Sequence, residues 1–209
     1  MGPRERRERE REEIRTLILD AARELFVAEG YEAVTMRRIA DRIEYSPTAI
    51  YFHFRDKETL LHEICDADFL ELAQQFGDAA KIADPIEKLK ETGLAYFRFG
   101  VEFPNHYRLM FMTPHPPLGD DHDVEKGNPE EDAYAFLKSI VEQAIKEKRF
   151  RPDLTDAELV SQTMWAGMHG VVSLHIAKCN DTWVEWRGLE DRARLMVDTL
   201  VNGLVRHGR

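Results

Sequence analysis

Two cysteines, Cys65 and Cys179, stand far apart in a chain of 209 residues. Neither a metal clip nor a redox pair fits that spacing, and two thiols do not make a disulfide framework, so both read as small buried hydrophobes. No apolar stretch reaches the ~18 residues a membrane helix needs. The first fifteen residues are a run of arginine and glutamate with no apolar segment and no small-residue cleavage site, so nothing marks the chain for export. A soluble, cytoplasmic protein is expected. The sequence also lacks a Gly-rich phosphate loop and a G-x-S-x-G elbow, and His115, His122, His169 and His175 lack the short His/Cys spacing of a zinc site. No metal and no cofactor is therefore implied, and His169 beside an acid, acting as a base, is the one enzymatic reading left. Strand-type alternation bounded by turns is missing as well.

What is present can bury a core: 43% of residues are hydrophobic. The net charge of −10 would argue against a nucleic-acid partner if it were evenly spread. It is not. Residues 1–57 hold 12 Lys+Arg and 12 Asp+Glu, whereas the remainder holds 17 and 27. A neutral, arginine-rich head on an acidic body is the asymmetry expected when only the head faces phosphates.

Helical periodicity runs through almost the whole chain. Ile14, Leu17, Ile18, Ala21, Ala22, Leu25 and Phe26 recur at one helical face, and Gly30 supplies a left-handed stop. Thr35 caps a short second helix with Ile39, Ala40 and Ile43 turned inward. Ser46-Pro47 starts a third, with proline at the first helical position. Asp56 caps a fourth that runs to about Phe76. Asp84-Pro85-Ile86-Glu87 opens a helix to about Phe103, its Glu able to bond back to the cap. Pro104 breaks it, and 106–112 resumes a short helix. The stretch 113–129, rich in proline with Gly119 and Gly127, reads as an exposed loop. Asn128-Pro129-Glu130-Glu131 restarts a helix to about Lys148, and Thr155-Asp156-Ala157-Glu158 is a capping box opening a long one to about Lys178. The last helix spans roughly 186–206. The expectation is an all-α fold of about nine helices, with a helix-turn-helix DNA-binding domain over 1–57 and a helical ligand-binding and dimerisation domain over 58–209.

Residues 35–54 place two short helices around Glu44-Tyr45, the spacing of a helix-turn-helix whose second helix can enter a major groove. Ile39, Ala40, Ile43 and Ile50 form its buried side, and Phe54 is read as core. Pro47, Thr48, Ala49, Tyr51 and Phe52 then face solvent beside Arg37, Arg38, Arg42 and Lys57. Hydroxyls and cations there suit phosphates, and apolar groups suit thymine methyls. The runs Thr35-Met36-Arg37-Arg38-Ile39-Ala40 and Ser46 to Leu60 (SPTAIYFHFRDKETL) closely resemble the N-terminal domain of TetR-family transcriptional regulators. The resemblance implies a homodimeric, usually repressing protein that binds a palindromic operator and leaves it when a small molecule enters the C-terminal domain. It implies a base contact from Arg37, recognition-helix contacts from Pro47, Thr48 and Tyr51, and phosphate contacts from Thr35, Tyr51, His53 and Lys57. With Arg38, Tyr45, Ser46 and Phe52 these make the candidate DNA-contacting set. Glu44 departs from the family, which often has Gly in this turn. A left-handed Glu costs up to about 1–2 kcal/mol, which predicts a wider turn. The Arg4–Arg15 run has two readings, an arm into a minor groove or a self-neutralising helical extension.

Over 155–178, Val160, Met164, Gly167, Val171 and Leu174 form one apolar stripe and Trp165, Met168, His169, Val172 and Ile176 a second. The last helix repeats this with Leu189, Ala193, Met196, Leu200 and Leu204 on one line and Val197, Val201 and Val205 on another. One stripe of each is read as protomer core and the other as a four-helix interface about a two-fold axis, with Val160, Met164, Gly167, Val171, Leu174, Met196, Leu200 and Leu204 assigned to that interface. Trp165-x-x-x-His169-Gly170 and His106-Tyr107-Arg108-Leu109-Met110-Phe111 resemble signatures of one TetR subgroup. Tyr96, Phe97, Phe103, Tyr107, Phe111, Phe136, Trp165, Met168 and His169 either line a pocket for a mostly apolar effector or pack the core.

Overall fold

The computed structural model describes residues 2–116 and 125–206. The expected loop at 113–129 therefore lies partly outside the described residues, as does His122. Ten helices are described: α1 (Pro3–Glu29), α2 (Met36–Arg42), α3 (Pro47–His53), α4 (Lys57–Gln75), α5 (Gly77–Ala80), α6 (Pro85–Glu102), α7 (Pro104–Phe111), α8 (Ala133–Lys146), α9 (Ala157–Lys178) and α10 (Leu189–Leu204). The described residues hold no strand, only a single bridge between Phe150 and Val205. The helix beyond the expected nine is α5, one turn after α4.

Most boundaries follow their capping chemistry. Thr35 accepts from Arg38 N–H, Ser46 from Ala49 N–H, and Asp84 from Ile86 and Glu87 N–H. Two starts move. α8 is capped by Asp132 instead of Asn128, because Asn128 is spent in a turn that takes its side chain to Glu130 N–H. α9 is capped by Asp156, not by Thr155, since Glu158 is turned away to Lys138 and the Tyr134 hydroxyl.

Contacts divide the chain into two units. The first takes 2–68 and 105–116 of the described residues, the second 69–104 and 125–206. α4 runs from one into the other. In the first unit Ile18, Ala22, Phe26, Ile39, Ala40, Ile50, Leu60 and Ile64 are wholly buried. α7 belongs here, with Tyr107 and Leu109 wholly buried. An ion pair sits inside the same core: Arg23 on α1 places its fork on Asp68 of α4 at 3.1 and 2.7 Å, and His106 Nδ1 of α7 is 3.0 Å from the same carboxylate.

In the second unit α6 packs on α8, α9 and α10, and α9 packs on α8 and α10. Here part of the expected interface stripe proves interior to the protomer. Val160 and Met164 are each 2% exposed and Val171 7%, all inside the protomer, because the buried face of α9 runs through Val160, Met164, Met168 and Val171-Val172. Gly167 faces Leu200 and Met196 of α10, where a Cβ would come within 2.5 Å of Leu200, so this contact is also internal. α10 contributes Ala193, Val197 and Val201 to the core. Leu174 of the expected stripe is exposed.

Candidate nucleic-acid interface

α2 packs on α3, and Ala40 and Ile50 of these helices have no exposed surface. The turn between them closes when Tyr45 N–H reaches Ala40 C=O at 3.0 Å. Glu44 is left-handed, at φ 59°, so the strain foreseen at this position is present. The turn keeps its tight hydrogen bond instead of widening. Proline at the first position of α3 and the Ser46 cap fix where the helix begins, and Ile50 fixes its rotation. That rotation leaves Thr48, Tyr51 and Phe52 outward, with Tyr51 54% and Phe52 71% exposed. Arg37 at the start of α2 and Tyr45 in the turn are exposed as well. Phe54 is buried, as expected.

Four other candidates have structural work in hand. The Thr35 and Ser46 hydroxyls cap α2 and α3. Arg38 lays its guanidinium on Glu29 at 2.8 Å, which holds that carboxyl below its usual range. Lys57 donates to the carbonyls of Tyr31 and Val34 at 2.7 and 3.0 Å with its ammonium over the Tyr31 ring, so one of its three donors is left. At the neighbouring cap of α4, Thr59 N–H with the Arg55 and Thr59 side chains holds the Asp56 carboxyl down at about 2. His53 is half-buried beside the exposed aromatics, and burial together with Arg11 and Arg15 lowers its pKa. Arg11, from the arginine run with two readings, places its guanidinium 5.5 Å from the Phe52 ring centre.

The aromatic set expected to hold an effector is divided. Tyr107 and Phe111, 5.0 Å apart, group with the first unit. Tyr96, Phe97, Phe103, Phe136, Trp165, Met168 and His169 lie in the second. There Trp165 Nε1–H donates to the Tyr96 hydroxyl at 3.0 Å, Phe136 stacks on Phe76, and Phe103 lies against Phe99. Met168 is core, 2% exposed. His169, one turn after Trp165, is half-buried, and burial lowers its pKa. Tyr134, not foreseen, lies 6.1 Å from Trp165 and donates its hydroxyl to Glu158. Among the described residues no three His, Cys, Asp or Glu side chains come together to hold a metal, and no helix is long and apolar enough to cross a membrane.

A capped two-helix element whose second helix holds two exposed aromatics and a hydroxyl outward is the arrangement of a helix-turn-helix DNA-binding regulator. Residues 18–64 match the family model for bacterial regulatory proteins of the tetR family, and residues 89–200 that for the tetracyclin repressor-like C-terminal domain. The transcriptional repressor KstR2 of Mycolicibacterium smegmatis is 31% identical over 150 residues, 68% of this chain and 70% of its own length. The repressor AcnR of Corynebacterium glutamicum is 39% identical over 94 residues, so the chain spans 43% of its length. A solved TetR-family regulator from Marinobacter aquaeolei superimposes with a TM-score of 0.74 at 18% identity, covering 97% of this chain and all of that one. PfmR from Thermus thermophilus gives 0.69 at 25% identity over 90% and 99%. The chain belongs to the TetR family of transcriptional regulators, whose members named here are repressors and regulators, not enzymes.

Proposed function

We propose that the protein is a homodimeric repressor working in the cytoplasm, which sits on a palindromic operator and is released by a small, mostly apolar effector. The carrying observation is the outward face of α3. Burying Ile50 leaves Thr48, Tyr51 and Phe52 exposed, Phe52 with Arg11 at the edge of its ring, and Arg37 and Tyr45 are exposed beside them. Tyr51 and Thr48 reach phosphates and base edges, Phe52 meets thymine methyls, and Arg37 reads a base from the start of α2. Lys57 adds at most its third donor.

Two recognition helices must match successive major grooves about 34–36 Å apart, which requires a paired body. The second copy meets the outer face of α9 and α10, where Leu159, Leu174 and Leu195 are exposed and Gly170 and Gly203 have open space over their Cα atoms. The effector sits by Tyr96, Trp165 and His169, whose hydroxyl, indole and imidazole orient it among Phe97, Phe103 and Phe136. α4, shared by both units, carries the displacement that spoils the groove spacing.

The test uses an operator selected from a random duplex pool by the pure protein. Tyr51→Ala, at an exposed position that leaves the fold intact, should weaken binding by about fivefold or more, as expected for about 1–3 kcal/mol of lost contact. Unchanged affinity would remove α3 from the groove.

A further inference from the structure

We propose that the first three turns of α1 are a second DNA-contacting surface, in which Arg7 and Arg11, with Arg4, grip the phosphate backbone beside the groove that α3 enters. The inference rests on the reading of α3 as the groove helix. It starts from the spacing. Arg4, Arg7, Arg11, Arg15, Ile18, Ala22 and Leu25 follow one another at intervals of three or four and so share one face of α1. From Ile18 onward that face is buried in the first unit, with Ile18 and Ala22 at 0% and Leu25 at 5% exposure. Before Ile14 the same face is arginine and exposed. The side of the helix that meets protein further along is thus prepared, at its free end, to meet something anionic.

The neighbouring arginines show what a purely solvated helix would look like. Arg6 pairs with Glu10 at 2.8 Å and Arg9 with Glu13 at 3.6 Å, each one turn on. Arg4 is held by Glu8 at 3.1 Å. Arg7 and Arg11 are arranged differently: the residue one turn after Arg7 is Arg11, and one turn after Arg11 is Arg15, like charges at a spacing where repulsion destabilises a helix. Arg15 is answered by Glu63. Arg4, Arg7, Glu8 and Arg11 line a single open groove, and Arg11 at its inner end overlies Phe52 of α3. The cationic line therefore begins at the edge of the recognition helix and leads away from it.

The dimensions suit a phosphate track. Arg4 and Arg11 are about 10 Å apart along the axis at ~1.5 Å per residue, over which one DNA strand carries about three phosphates. Contacts of this kind set register and affinity without reading bases.

The experiment compares the full-length protein with R7Q/R11Q and with R6Q/R9Q, which removes the same charge from the ion-paired flank. Binding to a fluorescent random-sequence duplex and to a selected operator of about 30 base pairs is measured between ~50 and 200 mM salt. R7Q/R11Q should lose affinity for both duplexes alike, and the slope of log K against log salt should shallow by about 0.9 for each phosphate contact removed, about 2 per protomer. R6Q/R9Q should keep the wild-type slope. Equal slopes for wild type and R7Q/R11Q, or equal shallowing in both variants, would overturn the proposal by reducing α1 to bulk charge. Failure of the wild type itself to bind either duplex would instead overturn the reading of α3.

Discussion

Removing the Asp68 carboxylate tests how the first unit is held together. Asp68 is 1% exposed and accepts both arms of the Arg23 fork, which is itself 8% exposed. Burial pulls the Arg23 pKa down, and the hydrogen bonds and charge of Asp68 more than reverse it, so the guanidinium stays charged inside the core. Asp68→Ala strands that charge with Asp20 at 2.7 Å, a carboxylate more than half exposed and correspondingly weaker as a partner. Breaking a buried pair from one side typically costs ~3–5 kcal/mol, and the remaining Asp20 contact places the expectation at about 3. At a typical slope this lowers the urea midpoint by about 1–2 M. Replacing both partners together, as R23M/D68L, should return stability to within about 1 kcal/mol of wild type, because no charge is left without its counterpart. Equilibrium unfolding of the wild type, both single variants and the double variant closes the cycle. A loss under about 1 kcal/mol for Asp68→Ala, or additive losses in the double variant, would refute the argument that this pair is a desolvated unit.

Other expectations follow from single positions. Glu44→Gly should stabilise by up to about 1 kcal/mol, since ~1–2 of left-handed strain is relieved against ~0.5–1 of added chain entropy; a destabilised variant in thermal unfolding would contradict the φ of 59°. Gly167→Ala sets its methyl against the Cδ1 end of Leu200, which can swing aside, so with ~0.5–1 kcal/mol of helix gain stability should change by no more than about 1 kcal/mol in thermal unfolding, whereas Gly170→Ala has room within the protomer and should impair only self-association, read by sedimentation. Burial holds His169 and His175 below their usual range, and His175 also faces Arg192. The unfolded chain then binds more protons below about pH 6.5, so stability should fall as pH drops through 6.5 toward 5; flat urea midpoints across that window would contradict the shifts. Burial pushes the Cys65 thiol up to about 12, so a thiol reagent should label Cys65 only after denaturation.

Caps, prolines and the positions of buried alanine and isoleucine are local signals, and they were legible. Thr35, Ser46-Pro47, Asp56 and Asp84 each cap the helix their sequence announces. The outward face of α3 was legible for the same reason: a seven-residue helix that buries Ile50 has one way to turn Tyr51 and Phe52. Where two acceptors competed for one helix start, as Thr155 and Asp156 did, spacing could not decide, because the outcome depended on Glu158 finding Lys138 and Tyr134 on α8.

The stripes of α9 show the same limit at a larger scale. Periodicity marks which residues share a face but not which neighbour meets it. Val160, Met164 and Val171 form a sound apolar line, and only the packing of α6, α8 and α10 around α9 makes that line interior and leaves Leu159 and Leu174 outside. The sequence by itself therefore determined the helices, their ends and the identity of the groove-facing helix, since these rest on contacts within a few residues. The tertiary structure decided which carboxylate answers Arg23, that Lys57 is tied to two carbonyls, and which side of α9 remains for a second copy. Those outcomes depend on groups brought together from distant parts of the chain, and no local pattern encodes their meeting.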